Sequence, residues 1–324
     1  MYEKENYQPL WCAQESWSPL GDSLFAFIER SKEYGLFPSD YHLRALAGVR
    51  VRIATDSVAR KDAALWSRAD LMLTDAFFLS TRHLKLGRLN KDSITMRSDS
   101  VLTTDFYNQV FHLMRHTNNV TATFHDLEPK HAGYDSLKVG LKFFLDSIPA
   151  FRRYTYINYP NKDSASLRNV VQRRLFEEDI LASATEPVDT AAWRQALMRY
   201  QEGKGLKPTG KINENTVNSL NNTDWEKFKR VAINMDRYKM LPDTLPLTYI
   251  WVNLPSFYLQ VINMDTVVME SRVIVGQPKT RTPLLTSSVS NFIIYPQWTV
   301  PYSIIFKEML PKIRRTWNTS IRKT

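Results

Sequence analysis

The one residue able to act as a thiolate nucleophile in this chain is its single cysteine, Cys12. A reactive thiolate needs an electropositive pocket or a paired base. Cys12 sits between Trp11 and Ala13, and the nearby Glu15 would raise its pKa, so it reads as a small buried residue. His112 and His116 stand four apart and could share a helix face, as zinc ligands do. A zinc hydrolase of that pattern needs Glu directly after the first histidine, and Leu113 stands there. His125 and His131 add no ligand spacing, so surface or capping roles are expected and no metal site is. Gly205-Leu-Lys-Pro-Thr-Gly210-Lys211-Ile212 imitates a phosphate-binding loop, but Ile212 replaces the hydroxyl that would hold magnesium. It also follows a helical stretch, and Pro208 lacks an N–H the cradle would use. A helix–turn–helix connection explains it better. Neither a Gly-x-Ser-x-Gly elbow nor a Gly-x-Gly-x-x-Gly turn occurs.

The elements that must carry these residues belong to a folded chain. With 324 residues, 43% of them hydrophobic and 12% aromatic, it can build two or three domains with real cores. No apolar run is long enough to span a bilayer. The opening MYEKENYQPLW has no apolar h-region, so no signal peptide is expected in this chain. Lys and Arg number 43 against 33 Asp and Glu, a net charge of +10. Part of the excess is local: Lys307, Lys312, Arg314, Arg315, Arg322 and Lys323 face Glu308 alone. A solvated helix face and frayed tail account for it better than a nucleic-acid patch, and no nucleic-acid partner is expected. One cysteine excludes an internal disulfide framework.

The spacing predicts helices through about residue 146. Leu24, Phe25, Phe27 and Ile28 lead to a stop at Gly35, and Ser39 or Asp40 is expected to cap a short helix through Leu46. A long helix over 60–86 carries Leu65, Trp66, Ala69, Leu73, Ala76, Phe77 and Leu84 and ends at Gly87. Tyr134, Leu137, Leu141, Phe144 and Leu145 form another stripe. Residues 158–166 read as a linker. A three-helix unit follows: one face through Leu167, Val170, Val171, Leu175 and Phe176, a second helix capped by Asp189, and a third with Thr216, Val217 and Leu220. A helix with Trp225, Phe228, Ala232 and Met235 on one side runs over 224–240. Strands are then expected over 247–252, 257–262 and 267–275, and a final helix over 303–313 capped by Ser303.

Several of these segments resemble a known family. Tyr7-Gln-Pro-Leu-Trp11, Asn234-Met-Asp-Arg-Tyr238 with Leu241-Pro242, Asn253-Leu-Pro-Ser-Phe257, Ser271-Arg-Val-Ile-Val-Gly276 with Pro278 and Thr282-Pro283, and Pro296-x-Trp298-x-Val-Pro301-x-Ser303-Ile304 follow the order found in large, YcbB-type murein L,D-transpeptidases with a YkuD-type catalytic domain. Tyr200-Gln201, Gly205-Leu206 and Thr209-Gly-Lys-Ile-Asn-Glu-Asn-Thr216 resemble the three-helix peptidoglycan-binding module, with Thr209 in place of the usual Asp. Tyr295 stands where the family usually has Asn, and from Thr316 the likeness fades.

The resemblance implies an α+β chain: a helical scaffold domain (1–157), a peptidoglycan-binding-like module (166–222), then a connecting helix and the front of a mostly-β transpeptidase domain (224–324), incomplete here. In the family, a cysteine in a Ser-His-Gly-Cys segment attacks a donor stem peptide, a histidine serves as base, and backbone N–H groups hold the oxyanion. This chain stops before that segment, so no catalytic residue is carried over and acyl transfer by the chain alone is not expected. Trp298, Tyr302 and Ser303, at the start of the family's active-site lid, are the expected substrate-binding residues. No cofactor is implied. The implied partners are peptidoglycan stem peptides and glycan strands, and the implied location is the periplasm or cell envelope. A non-catalytic peptidoglycan-binding protein is the alternative.

Overall fold

A computed structural model describes residues 1–13, 15–89, 102–277, 279–283, 285–295, 297 and 299–314. The chain divides into two compact units, Met1–Thr282 and Pro283–Thr324.

The first unit opens with a 3-10 turn (Tyr2–Glu5) and a small hairpin, β1 (Cys12–Ala13) and β2 (Ser16–Trp17), and continues into helix α1 (Pro19–Glu29). Ser18 starts α1 by accepting a hydrogen bond from the Gly21 N–H, with Pro19 at the first helical position. The cap expected at Ser39 or Asp40 does not form. Those residues lie in a 3-10 turn (Pro38–Tyr41), and α2 (Leu43–Thr55) starts from His42, which takes a left-handed conformation and supplies no side-chain cap. Short α3 (Ser57–Arg60) leads to α4 (Ala63–Leu86), capped by the Asp62 carboxylate and ended at Gly87 with φ +79°. That helix presents the stripe its spacing implies: Trp66, Ala69, Leu73, Ala76, Phe77 and Leu84 are all buried. Helices α5 (Thr104–Thr117) and α6 (Val120–His125) close the first core. At its centre Trp11 meets Phe77 and Phe111 at centroid distances of 5.8 and 5.4 Å.

The N-terminal segment is pinned by one buried carboxylate. Asp70 on α4 accepts from the Trp11 N–H (2.7 Å), the Leu10 N–H (3.1 Å) and the Tyr2 hydroxyl (2.5 Å). Backbone donors with no strand partner are thereby satisfied.

Helix α7 (Ala132–Ser147) packs against the helix expected over 224–240, and Tyr134, Leu141, Phe228 and Met235 form their shared core. Between the two lies the three-helix unit: α8 (Ser164–Glu177), α9 (Thr190–Gly203, capped by Asp189) and α10 (Glu214–Asn221). Its core of Leu167, Val171, Leu175, Trp193, Leu197, Tyr200, Val217 and Leu220 also takes in Ile157 from the preceding segment. Asn221 clamps Ile157 as a strand partner would, accepting its N–H at 3.0 Å and donating to its carbonyl at 2.8 Å. Helix α11 (Asp224–Lys239) returns the chain to α7.

β3 (Thr248–Asn253), β4 (Tyr258–Asn263) and β5 (Thr266–Arg272) then form an antiparallel sheet in the order β3-β4-β5, with an irregularity at Val261/Ile262. The architecture is α+β, as the residue pattern implies.

The second unit contains α12 (Tyr302–Ile304), which continues through a π-helical turn (Ile305–Met309) and helical residues 310–314. The residue before it is Pro301 and no side chain caps it, so Ser303 lies inside the first turn and is not its cap.

Candidate functional site

Cys12 lies in the β1–β2 hairpin opposite Trp17, half-buried and packed at the edge of two apolar clusters that include Trp17 and Trp66. Burial pushes its thiol up to about 12, with the Asp70 carboxylate next and Asp22 adding to the effect. The direction agrees with the sequence reading. The source differs: the acidic groups that act on the thiol are Asp70 and Asp22, brought in by the fold, and not the neighbouring Glu15. Such a thiol is neutral at physiological pH and is a poor nucleophile.

The histidines separate into unrelated roles. His112 and His116 are exposed on α5. His125 meets Glu128 at 3.1 Å, and His131, the residue before α7, donates from Nε2 to the Pro242 carbonyl at 3.0 Å. Among the described residues, no three His, Cys, Asp or Glu side chains come together in a metal-binding group. His83, which the sequence reading passed over, is held neutral instead. Burial first, and then the Arg88 guanidinium, push its pKa down to about 4, while the Tyr41 hydroxyl shares a hydrogen bond with Nδ1 at 2.8 Å.

The phosphate-loop imitation is a turn between α9 and α10. Gly205 and Gly210 take φ of +67° and +62°, and the loop is bound from beneath by Gln201. The amide of this fully buried side chain accepts from the Gly210 N–H at 2.9 Å and donates to Thr216 Oγ1 at 2.8 Å and the Lys211 carbonyl at 3.1 Å. A loop whose N–H is already taken by a protein carbonyl has no cradle to offer.

The strand region presents three turns. Asn253 caps the 3-10 turn Leu254–Ser256 by accepting the Ser256 N–H, and Phe257 follows with φ +60°. Met264 and Asp265 make the β4–β5 turn, both with positive φ. Beyond β5, the Gly276 N–H donates to Thr282 Oγ1 at 2.7 Å. β5 is exposed at every position, and Ile250, Val252, Val267, Val268 and Met269 are large apolar side chains open to water.

Of the expected substrate-binding residues, Trp298 lies outside the described residues, as do Pro278, Pro296 and everything from Arg315 onward. Tyr302 and Ser303 are exposed in the first turn of α12, where the Tyr302 ring stacks on Phe306 at 6.3 Å. The sequence reading missed the buried polar groups Asp70 and Glu128, and quoted Gln201 and Asp236 only inside motifs, without the contacts they make.

A run of helices, the last of which leads into a three-stranded antiparallel sheet, makes the first unit an α+β fold. Residues 1–141 match the profile of a scaffold domain, and residues 247–323 match that of the L,D-transpeptidase catalytic domain, YkuD. A Haemophilus influenzae protein named "Putative L,D-transpeptidase" is 37% identical over 86 residues, which is 26% of this chain and 17% of that protein's length. The chain is thus similar to a scaffold domain over its first 141 residues and to the L,D-transpeptidase catalytic domain over residues 247–323. No helix among the described residues is long and apolar enough to cross a membrane.

Proposed function

We propose that this chain serves peptidoglycan cross-linking by L,D-transpeptidation at the cell envelope, in a protein of the large YcbB type, with stem peptides and glycan strands as partners. The observation that carries this reading is the pairing in one chain of a scaffold domain at 1–141 with transpeptidase catalytic-domain sequence at 247–323. The domain division proposed is 1–157 for the scaffold, 166–222 for a peptidoglycan-binding-like module, and 224–324 for the connecting helix and the front of the transpeptidase part. In this reading α11 is the join, since it packs on α7 of the scaffold. Trp298, Tyr302 and Ser303 are offered as substrate contacts.

These 324 residues are proposed not to perform the acyl transfer themselves. Acyl transfer through a cysteine requires a thiolate within reach of a base. The one cysteine present is a neutral, half-buried thiol inside the scaffold domain. The test is incubation of the pure chain with muropeptides and a search for cross-linked dimers. None are expected.

A non-catalytic peptidoglycan-binding role is the second reading, favoured by the module's own core and its Gln201-bound loop. Co-sedimentation with purified sacculi tests it: binding that is lost when surface residues of 166–222 are changed supports this reading, and no binding excludes it.

A further inference from the structure

Helix α11 ends at Lys239, and residues 240–247 carry the chain from it into β3. This short passage contains two prolines, Pro242 and Pro246, which fix φ and stiffen it. It is attached to the scaffold at three places, each on different groups. At its root, Asp236 is buried, accepts the Arg88 N–H at 2.7 Å through Oδ2, and takes the buried Lys239 ammonium at 2.9 Å on Oδ1. In its middle, the Pro242 carbonyl accepts from His131 Nε2 at 3.0 Å. One residue on, Asp243 meets Lys85 at 2.9 Å. The scaffold donors come from the end of α4 and just past it (Lys85, Arg88) and from the residue before α7 (His131), while Lys239 lies on α11 itself.

The backbone is shaped for the same contact. Gly87 holds φ +79°, and a Cβ there would lie 3.2 Å from the Asp236 carboxylate carbon. Gly133, in the first turn of α7, leaves room for the Tyr238 hydroxyl, which any larger residue would overlap. Two glycines at the places where α11 approaches, and three polar attachments beyond them, are more than helix packing requires.

We propose that the scaffold fixes the direction in which the transpeptidase strands leave it, and that Lys85, His131 and Asp236 are positioning residues for this purpose. This rests on the reading above that the strands from 247 open the catalytic domain. Three attachments, two from the C-terminal end of α4 and just past it and one from just before α7, restrain both the position and the rotation of the passage. The exposed Lys85–Asp243 pair is weak alone. Asp236, desolvated and held by both an N–H and an ammonium, is the anchor.

The experiment is a pulsed electron–electron distance measurement on the whole chain. Nitroxides are placed at Leu71→Cys on α4 and Met264→Cys in the β4–β5 turn, both exposed sites, in a Cys12→Ala background. A single narrow distribution is expected. Lys85→Met with His131→Phe should at least double its width while the helical circular dichroism stays unchanged, and Asp236→Asn should broaden it further. Exchanging the charges, Lys85→Asp with Asp243→Lys, should keep the distribution narrow where Lys85→Asp alone does not. A broad distribution in the unaltered chain overturns the proposal even if a variant fails to fold. So does a width unmoved by all of these changes. The readout involves no turnover, so a failure of the transpeptidase reading would leave it standing as a statement about the join.

Discussion

Cys12 and His83 are both held in their neutral forms by burial, and each gives a test at the level of one side chain. Cys12, with its thiol pushed up to about 12, should react with iodoacetamide at pH 8 at least tenfold more slowly than a free thiol, and at the free rate once urea unfolds the scaffold. A native rate equal to the unfolded one would refute the environment described for it. His83 is lowered to about 4 from an ordinary value near 6.5. A histidine whose folded pKa is depressed adds stability above its unfolded pKa and loses it as pH falls toward the folded one. The scaffold should therefore lose up to about 3 kcal/mol between roughly pH 6.5 and pH 4 from this group alone. Urea unfolding across that window, compared with His83→Leu, should show a flatter profile for the variant. Arg88, Asp40, Asp236 and Lys239 all bear on this histidine, so the comparison with the variant isolates its share.

Among the elements, the sheet and the helices differ in how they are covered. Strands β3 to β5 expose Ile250, Val252, Val267, Val268 and Met269, and among the described residues β3 and β5 are the edges of the sheet. The helical cores instead bury Trp11, Phe77, Tyr134 and Tyr200 almost completely. Limited proteolysis should cut first after residue 247 and leave a helical fragment, and the whole chain should associate at high concentration through the sheet. Early digestion of the helices with the strands intact would contradict this. Helix periodicity and the turn residues made most of this architecture readable. The stripe on α4, the Gly87 stop, the Asp189 cap and all three strands follow from local rules. The beginning of α2 did not, because His42 starts it from a left-handed turn without a side-chain cap. Nor did the role of α11, whose apolar face announces burial but not the partner α7 across more than seventy residues of intervening chain. Buried polar contacts such as Asp70 to the Trp11 N–H are fixed by tertiary approach and have no sequence period to reveal them.

Across the molecule, a scaffold-domain match at 1–141 and a YkuD match at 247–323 share one chain, and the lone cysteine lies in the scaffold part. The order of short motifs made that likeness readable. The candidate substrate contacts were less so, since they rest on Trp298, Tyr302 and Ser303, and a lid residue is recognised only by what it closes on. The central claim is that these residues mount and begin a transpeptidase domain without Cys12 acting as its nucleophile. The most direct test incubates the purified chain and its Cys12→Ala variant with muropeptides and follows cross-linked dimers by mass spectrometry. The account predicts no dimers from either protein. Dimers formed by the unaltered chain and lost in Cys12→Ala would contradict it.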